Sequence, residues 1–274
     1  MSAMQVSFAK WHGLGNDYVL IEDSLSIDPS QVAARMCDRR LGIGADGLLL
    51  LRELEVGQVS FRVFNADGTE AELCGNGLRC AAAYWCSRSG ETRVEMQSAV
   101  GRHMAETRQR ADNSFDVKMT LVPVEVGDTV LLEWGSRSEI VHVVHTGNPH
   151  AIILDASDAM VDQLPEIAAS VAAMDCFRDG INVHLARADG VMRVHMWSWE
   201  RGVGLVSACA TGAAAVAKLV AEDAAGSVCV VLPGGELLIE PGSSGVAATM
   251  SGSATPICTG RWSVPPDLYP RSKR

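Results

Sequence analysis

The sequence predicts a mixed α/β (α+β) fold made of two related β-rich halves, each with one central helix. Three observations predict it. Strand signals outnumber helical ones along the chain. Of the four helical segments, two begin directly after a cysteine. Finally, Cys74-Gly-Asn-Gly-Leu-Arg-Cys-Ala-Ala-Ala aligns with Cys209-Ala-Thr-Gly-Ala-Ala-Ala-Val-Ala-Lys, an offset of 135 residues in a chain of 274.

Two further pairs keep that offset or come close to it. Gly15-Asn16-Asp17 and Gly147-Asn148-Pro149 stand 132 residues apart. Asn65 and Glu200 each precede their cysteine by nine residues, at the end of a β-rich run. The repeat therefore implies two halves whose core helices each present a cysteine from the first turn into a shared cleft, the setting in which ligand sites commonly form.

In chain order, Asp28-Pro29 has the residue types of an N-cap and first turn, and Gly42 closes that helix over residues 28–41. A strand over 47–51 follows. Gly42, Gly44 and Gly47 have the spacing of a dinucleotide-binding loop, but here a helix precedes them and a strand follows. This is the reverse of the order such loops need, so no nicotinamide or flavin site is assigned. Further strands are expected at 59–64, 115–121, 141–145, 151–154, 193–199, 228–232 and 236–240. Helices are expected at 75–87, 161–173 and 210–221. A strand ending in Pro near Leu121-Val122-Pro123 places the boundary there, giving domains 1–121 and 122–261, with the Pro-rich tail 262–274 expected to return to the first.

Composition narrows the class. The chain is 47% hydrophobic and 20% charged, as a globular protein is, and its formal charge of −10 without any basic run argues against nucleic acid as partner. There is no signal-like start and no apolar run of membrane-spanning length, so the expected location is the cytoplasm, with no membrane partner. Eight cysteines in such a chain are expected to be reduced thiols. The six-residue spacing of Cys74, Cys80 and Cys86 lacks the close pairing of a zinc knuckle, and no metal is assigned.

A thiol reacts as thiolate, and its pKa of about 8.5 falls at a helix N-terminus beside unpaired amides. Cys74 and Cys209 have that setting, each after a polar loop and before a Gly-containing helix start. The other six, Cys37, Cys80, Cys86, Cys176, Cys229 and Cys258, are expected to be small buried hydrophobes. Two thiols on opposite faces of one carbon suit inversion, since one as thiolate removes a proton while the other delivers one. Without a pyridoxal cofactor, the amides at Gly75-Asn76 and Ala210-Thr211 would stabilise the charge that builds on the substrate carboxylate.

The segments His12-Gly-Leu-Gly-Asn-Asp17, Asn65-Ala-Asp-Gly68, Cys74-Gly-Asn-Gly77, Gly147-Asn-Pro-His150, Glu200-Arg-Gly202 and Ala208-Cys209 resemble, in order, those of diaminopimelate epimerases. The resemblance spans about residues 8–259. It implies two pseudo-symmetric domains, each a β-barrel-like sheet wrapped round a central helix, with the active site in the cleft between them. The implied activity is cofactor-independent conversion of LL- to meso-diaminopimelate, in lysine and peptidoglycan precursor biosynthesis. It further implies Cys74 as proton donor and Cys209 as acceptor in that direction, with His150 and Glu200 setting the thiols' protonation. Asn16, Asn65, Asn148, Asn182, Glu200 and Arg201 would surround the substrate, and Gly75, Asn76, Ala210 and Thr211 would meet the reacting carboxylate. A homodimer is the family's usual form and the expected assembly. Arg201 suits a bidentate grip on a distal carboxylate, and the Asn amides supply both donors and acceptors. For His12, His142, His145, His184 and His195 the sequence offers no comparable constellation.

Departures from the family pattern cluster in one loop. Leu205-Val206 stand where Glu-Thr is usual, and Ala210 replaces the Gly after the second cysteine; Gly47 occupies a position held by Gln or Gly. The rival reading is a two-cysteine racemase of another amino acid, such as histidine or a proline derivative. A binding protein of the same fold would be expected to have lost one thiol, and both are present.

Overall fold

The computed structural model describes residues 4–22, 27–135, 137–221 and 226–269. The chain divides into two units: residues up to Val117 together with those from Ser253 onward, and Lys118–Gly252. The chain leaves the first unit inside one strand and returns inside another, so the units separate a few residues before the expected boundary at 121.

The first unit runs β1 (Gln5–Gly13), β2 (Asn16–Glu22), α1 (Pro29–Met36), β3 (Gly47–Glu55), β4 (Gln58–Asn65), β5 (Glu70–Ala71), α2 (Gly75–Ser89), β6 (Arg93–Ser98), β7 (Gly101–Gln109) and the start of β8 (Phe115–Pro123). The second continues with β9 (Glu125–Trp134), β10 (Arg137–His145), β11 (Pro149–Ile153), α3 (Asp158–Asp162), α4 (Leu164–Ala172), β12 (Asn182–Ala188), β13 (Arg193–Glu200), β14 (Gly204–Val206), α5 (Ala210–Ala221), β15 (Val228–Leu232) and β16 (Gly235–Glu240). Strand β17 (Ala247–Ser263) closes the chain's return.

The pairing pattern repeats. In the first unit the β1–β2 hairpin leads through α1 to β3, parallel to β2; β3 pairs antiparallel with β4, and β4 lies parallel to β6 beyond α2. In the second, β10–β11 leads through α3 and α4 to β12, parallel to β11; β12 pairs antiparallel with β13, and β13 lies parallel to β15 beyond α5. The internal similarity of the sequence is thus a duplicated topology.

Each core helix is buried along the end that carries its cysteine. Gly75 through Ala83 of α2 and Ala210 through Ala217 of α5 are all buried, and alanine and glycine dominate both runs because strands approach from several sides. Leu48, Leu49, Leu50 and Leu51 on β3 are all buried, as the sheet is covered on both faces there. Each such side chain contributes about 2 kcal/mol by leaving water.

Two helices differ from expectation. The first ends at Met36 because Asp38 Oδ1 accepts from the Arg40 and Leu41 amides at 2.7 and 2.8 Å, turning the backbone out of the helix. The expected 161–173 helix is two, starting earlier at Asp158 and broken at Gln163, because Pro165 supplies no amide and crowds the carbonyl four residues back. The returning tail joins the first unit: Val264 and Leu268 enter the core beside Met36 and Phe64, and Met4 donates to the Tyr269 hydroxyl at 3.0 Å. Residues 270–274 lie outside those described. Among the described residues, no helix is long and apolar enough to cross a membrane.

Candidate active site

In the first unit, Cys74 is the N-cap of α2, extended at φ −137° and ψ 104°, and its sulfur accepts the Gly77 amide at 3.4 Å. A sulfur thus takes the place of the usual capping oxygen at one of the helix's open amides. The Tyr18 hydroxyl lies 3.0 Å from the same sulfur. Beneath it Arg79 is wholly buried and donates to the Ser253 carbonyl at 2.8 Å. Burial lowers the Arg79 pKa, and neighbouring Cys80, Tyr18 and Cys74 oppose that.

Asn16 reaches the same helix start. Leu14 and Gly15 both have positive φ, 55° and 88°, so β1 and β2 join through the tight two-residue turn that matches strand twist. Asn16 then follows directly, and its Oδ1 accepts from Asn76 Nδ2 at 3.3 Å, both residues buried. The adjacent Asp17 anchors the turn to Arg39 and Lys10. Burial pushes its carboxyl up, but these two cations bring it below the usual range. Asn65 stands apart from this group, donating to Thr69 Oγ1 at 2.9 Å within its own turn. Gly47 has no room for a side chain: an added Cβ would lie 2.7 Å from the Phe64 carbonyl oxygen.

In the second unit the arrangement recurs around a deeper sulfur. Cys209 is 2% exposed at the start of α5, and its Sγ accepts the Gly212 amide at 3.4 Å, with Thr211 Oγ1 at 3.6 Å. Gly77 and Gly212 are therefore equivalent, each three residues past its cysteine and each aiming an amide at sulfur. Electrostatically, however, Cys209 runs against expectation. Burial pushes its thiol well above the usual value, and the Glu200 carboxylate, which accepts a hydrogen bond from it, pushes the same way; the Gly212 amide and Thr211 hydroxyl pull back without prevailing. The helix N-terminus is the weaker influence there.

His150, on β11, is wholly buried, with Nε2 2.8 Å from Asn148 Oδ1 and Nδ1 2.8 Å from His184 Nε2. His184 in turn meets the Ser198 hydroxyl at 2.9 Å through Nδ1. Burial first, then the neighbouring His184 and His145, hold His150 well below its ordinary pKa, and burial lowers His184 to about 3. Both rings are neutral at pH 7. One nitrogen of each ring and the Cys209 sulfur lie within 4.8 Å of one another. The facing nitrogens are joined to each other by a hydrogen bond, which occupies them as a donor–acceptor pair.

The remaining candidates are placed within their own units. Asn182 binds both neighbours, donating to the Pro149 carbonyl at 3.2 Å and accepting the Arg201 amide at 3.0 Å. Arg201 is exposed, lies across Gly180 and donates to the Asp179 carbonyl at 2.8 Å. Ala210 and Thr211 are buried in the first turn of α5, and Gly75 likewise in that of α2.

Sequence reasoning missed Tyr18, Arg79, Ser198 and, contrary to the statement that it had no constellation, His184. The usable signal was strand alternation: Tyr18 lies two residues beyond Asn16 on β2, and His184 two beyond Asn182 on β12, so each shares a face with a residue already singled out. Three cysteine assignments also need correction. Cys37, Cys80 and Cys86 are buried, and burial raises the first two to about 12, but Cys176 and Cys258 are exposed on the surface and Cys229 is only half-buried, against Arg193 and Glu236.

With this geometry in place, known proteins add a decisive observation. The sequence profile described as diaminopimelate epimerase matches residues 8–125 and 142–257. The chain is 36% identical to the diaminopimelate epimerase of Desulforudis audaxviator, over 94% of this chain and 99% of that one. The chain belongs to the diaminopimelate epimerase family. The enzyme of the same name from Carboxydothermus hydrogenoformans is 35% identical over 85% of this chain and 91% of its own length. Among solved structures, a hydroxyproline epimerase from Agrobacterium vitis with bound trans-4-hydroxy-L-proline superposes with TM-score 0.76 at 15% identity, covering 96% of this chain and 94% of that one. A Bacillus anthracis phenazine biosynthesis protein gives 0.71 at 13% identity, over 95% and 100%. At such identities these two show a shared fold. Family membership makes the chain an isomerase of the epimerase type and its mixed α+β fold that of the epimerases and racemases.

Proposed function

We propose that this protein interconverts LL- and meso-2,6-diaminopimelate without a cofactor, by proton transfer between two thiols. The observation that carries this reading is the duplicated sulfur cradle. Cys74 and Cys209 begin the two core helices, and each accepts the amide three residues on, in a family of diaminopimelate epimerases.

In the LL-to-meso direction Cys209, as thiolate, takes the α-proton while Cys74 delivers its own to the opposite face; in reverse their roles exchange. Negative charge moves from the α-carbon into the carboxylate, where the amides of Gly75, Asn76, Ala210 and Thr211 receive it. Before substrate arrives, Glu200 favours the protonated Cys209. A substrate ammonium beside Glu200 offsets that carboxylate and so eases ionisation of the thiol. His150, held neutral, bounds the sulfur without taking its proton. Arg201, Asn65, Asn148 and Asn182 serve the distal amino-acid end, with Arg201 leaving its present carbonyl partner for the distal carboxylate.

The expected partner is the amino-acid substrate alone, with no nucleic acid or membrane, and the expected assembly a cytoplasmic homodimer. The formal charge of −10 supports the first and the family's usual form the second.

The test is incubation of the reduced protein with LL-diaminopimelate in deuterated water, without added cofactor. Appearance of α-deuterium and the meso isomer is expected, and their absence overturns the assignment. Cys74→Ala and Cys209→Ala should each abolish epimerisation, and full activity in either would reject the two-thiol scheme. Histidine and proline tested alongside should not exchange. Sedimentation of the purified chain as a monomer would reject the dimer.

A further inference from the structure

His184 stands outside the scheme above, yet it determines what His150 can do. Asn148 Oδ1 only accepts, so His150 Nε2 carries that ring's hydrogen and His150 Nδ1 is the bare nitrogen. The bond between the rings must then be donated by His184 Nε2–H, at 2.8 Å. This leaves His184 Nδ1 bare, and the Ser198 hydroxyl donates to it at 2.9 Å. Every position is filled in one direction, from Ser198 through both imidazoles to Asn148. His150 thus has no lone pair available to a thiol proton.

The His184 ring also has a seat of its own. A Cβ added at Gly212 would lie 2.5 Å from His184 Cε1 and 2.6 Å from Nε2, so α5 admits the ring only because residue 212 is glycine. The same glycine's amide holds the Cys209 sulfur. One residue therefore sets the spacing between sulfur and ring. The ionisable groups acting on the cluster are Glu200 at the end of β13, beside the sulfur, and His145 on β10, which acts on His150.

We propose that His184, seated on Gly212, is a positioning residue that occupies His150 Nδ1 and thereby stops the Cys209 proton from passing to the imidazole. Without its N–H, His150 Nδ1 is open to accept: the Cys209 S–H bond can break as an N–H forms on that ring, against the burial that still opposes both charges, and the share of thiolate–imidazolium pair rises. Such a sulfur is nucleophilic at neutral pH and no longer able to donate. Its value to the enzyme rests on Cys209 being an acid–base thiol, but the structural claim concerns the sulfur's protonation alone and is read without substrate.

The test is the pH profile of Cys209 alkylation by iodoacetamide, followed by peptide mass mapping, in the wild type, His184→Leu, His184→Gln and Gly212→Ala. His184→Leu removes the donor and should move the profile at least one unit down, an increase of about tenfold or more in labelling at pH 7. His184→Gln places an amide N–H near the position of Nε2 and should stay within about twofold of wild type, since a donor is all that His150 requires. Gly212→Ala displaces the ring from another element and should follow His184→Leu, which keeps the test open if the leucine variant does not fold. A wild-type profile in a folded His184→Leu or Gly212→Ala protein would overturn the proposal, as would a glutamine variant that shifts as far as leucine. Loss of epimerase activity with unchanged alkylation would leave the functional reading intact and reject this role for His184.

Discussion

Acidification from pH 7 to pH 5 should destabilise this protein far more than its carboxylates can account for. His150 and His184 are wholly buried, the first held well below 6.5 and the second at about 3, both chiefly by burial. Below pH 6.5 the unfolded chain binds protons on these residues that the folded one refuses. Their contribution to stability is therefore complete above 6.5 and is lost as pH falls toward the folded values. At pH 5 the His184 ring alone has forfeited about 2 kcal/mol, at 1.36 kcal/mol per unit, and His150 adds to the loss in the same direction. For a chain of this size the His184 share lowers the thermal midpoint by about 4 to 8 °C. Calorimetric or fluorescence melts at half-unit steps would measure it, with His184→Gln as the comparison expected to show a smaller slope. A midpoint that is flat between pH 7 and 5, or an undiminished slope in the variant, would refute the argument that these rings are kept neutral by burial.

Three further outcomes follow from contacts already described. Glu200→Gln removes the charge beside Cys209, and since two unit charges about 4 Å apart at an effective dielectric of about 20 interact by about 4 kcal/mol, the alkylation profile of Cys209 should move down by about one to three units. An unmoved profile would show that burial alone sets it. Tyr18→Phe removes the hydroxyl 3.0 Å from Cys74 and should cut kcat by about 10- to 100-fold, the worth of a hydrogen bond to a charged group, with little change in melting. Undiminished turnover would contradict the contact. Gly47→Ala drives a methyl to 2.7 Å from the Phe64 carbonyl and should cost about 1 to 3 kcal/mol in urea unfolding; a neutral result would mean that β3 and β4 can part there.

Fold class was legible in the sequence because period and punctuation agreed. The strand at Val228–Leu232 and the helix at Ala210–Ala221 stand at the residues read from apolar alternation and from the cysteine start. Strand β17 escaped notice because Pro256 interrupts it. The structure absorbs that proline at the register shift opposite Lys10 and Trp11, a relation no local pattern reveals. The short first helix and the split α3–α4 were misjudged because Asp38 and Pro165 act through individual hydrogen bonds, which periodicity does not register. At the site, motif spacing found the sulfurs and their amides. It could not rank burial against helix end at Cys209, nor see that His184 meets His150, since the two rings are brought together by the parallel pairing of β11 and β12.

The discontinuity of the first unit bears on how a ribosome delivers this protein. Lys118–Gly252 forms an unbroken stretch that has every strand and helix of its own unit once residue 252 has emerged. The opposite holds for the half made first. Arg79, five residues past Cys74, finds its carbonyl at Ser253, and the core around Met36 lacks Val264 and Leu268 until synthesis has gone further still. The earlier-born lobe is thus the later to mature, its sulfur cradle waiting on residues translated more than 170 codons afterwards. Premature stops just beyond residue 252 would then leave the younger lobe complete and the older one without the residues that close its core.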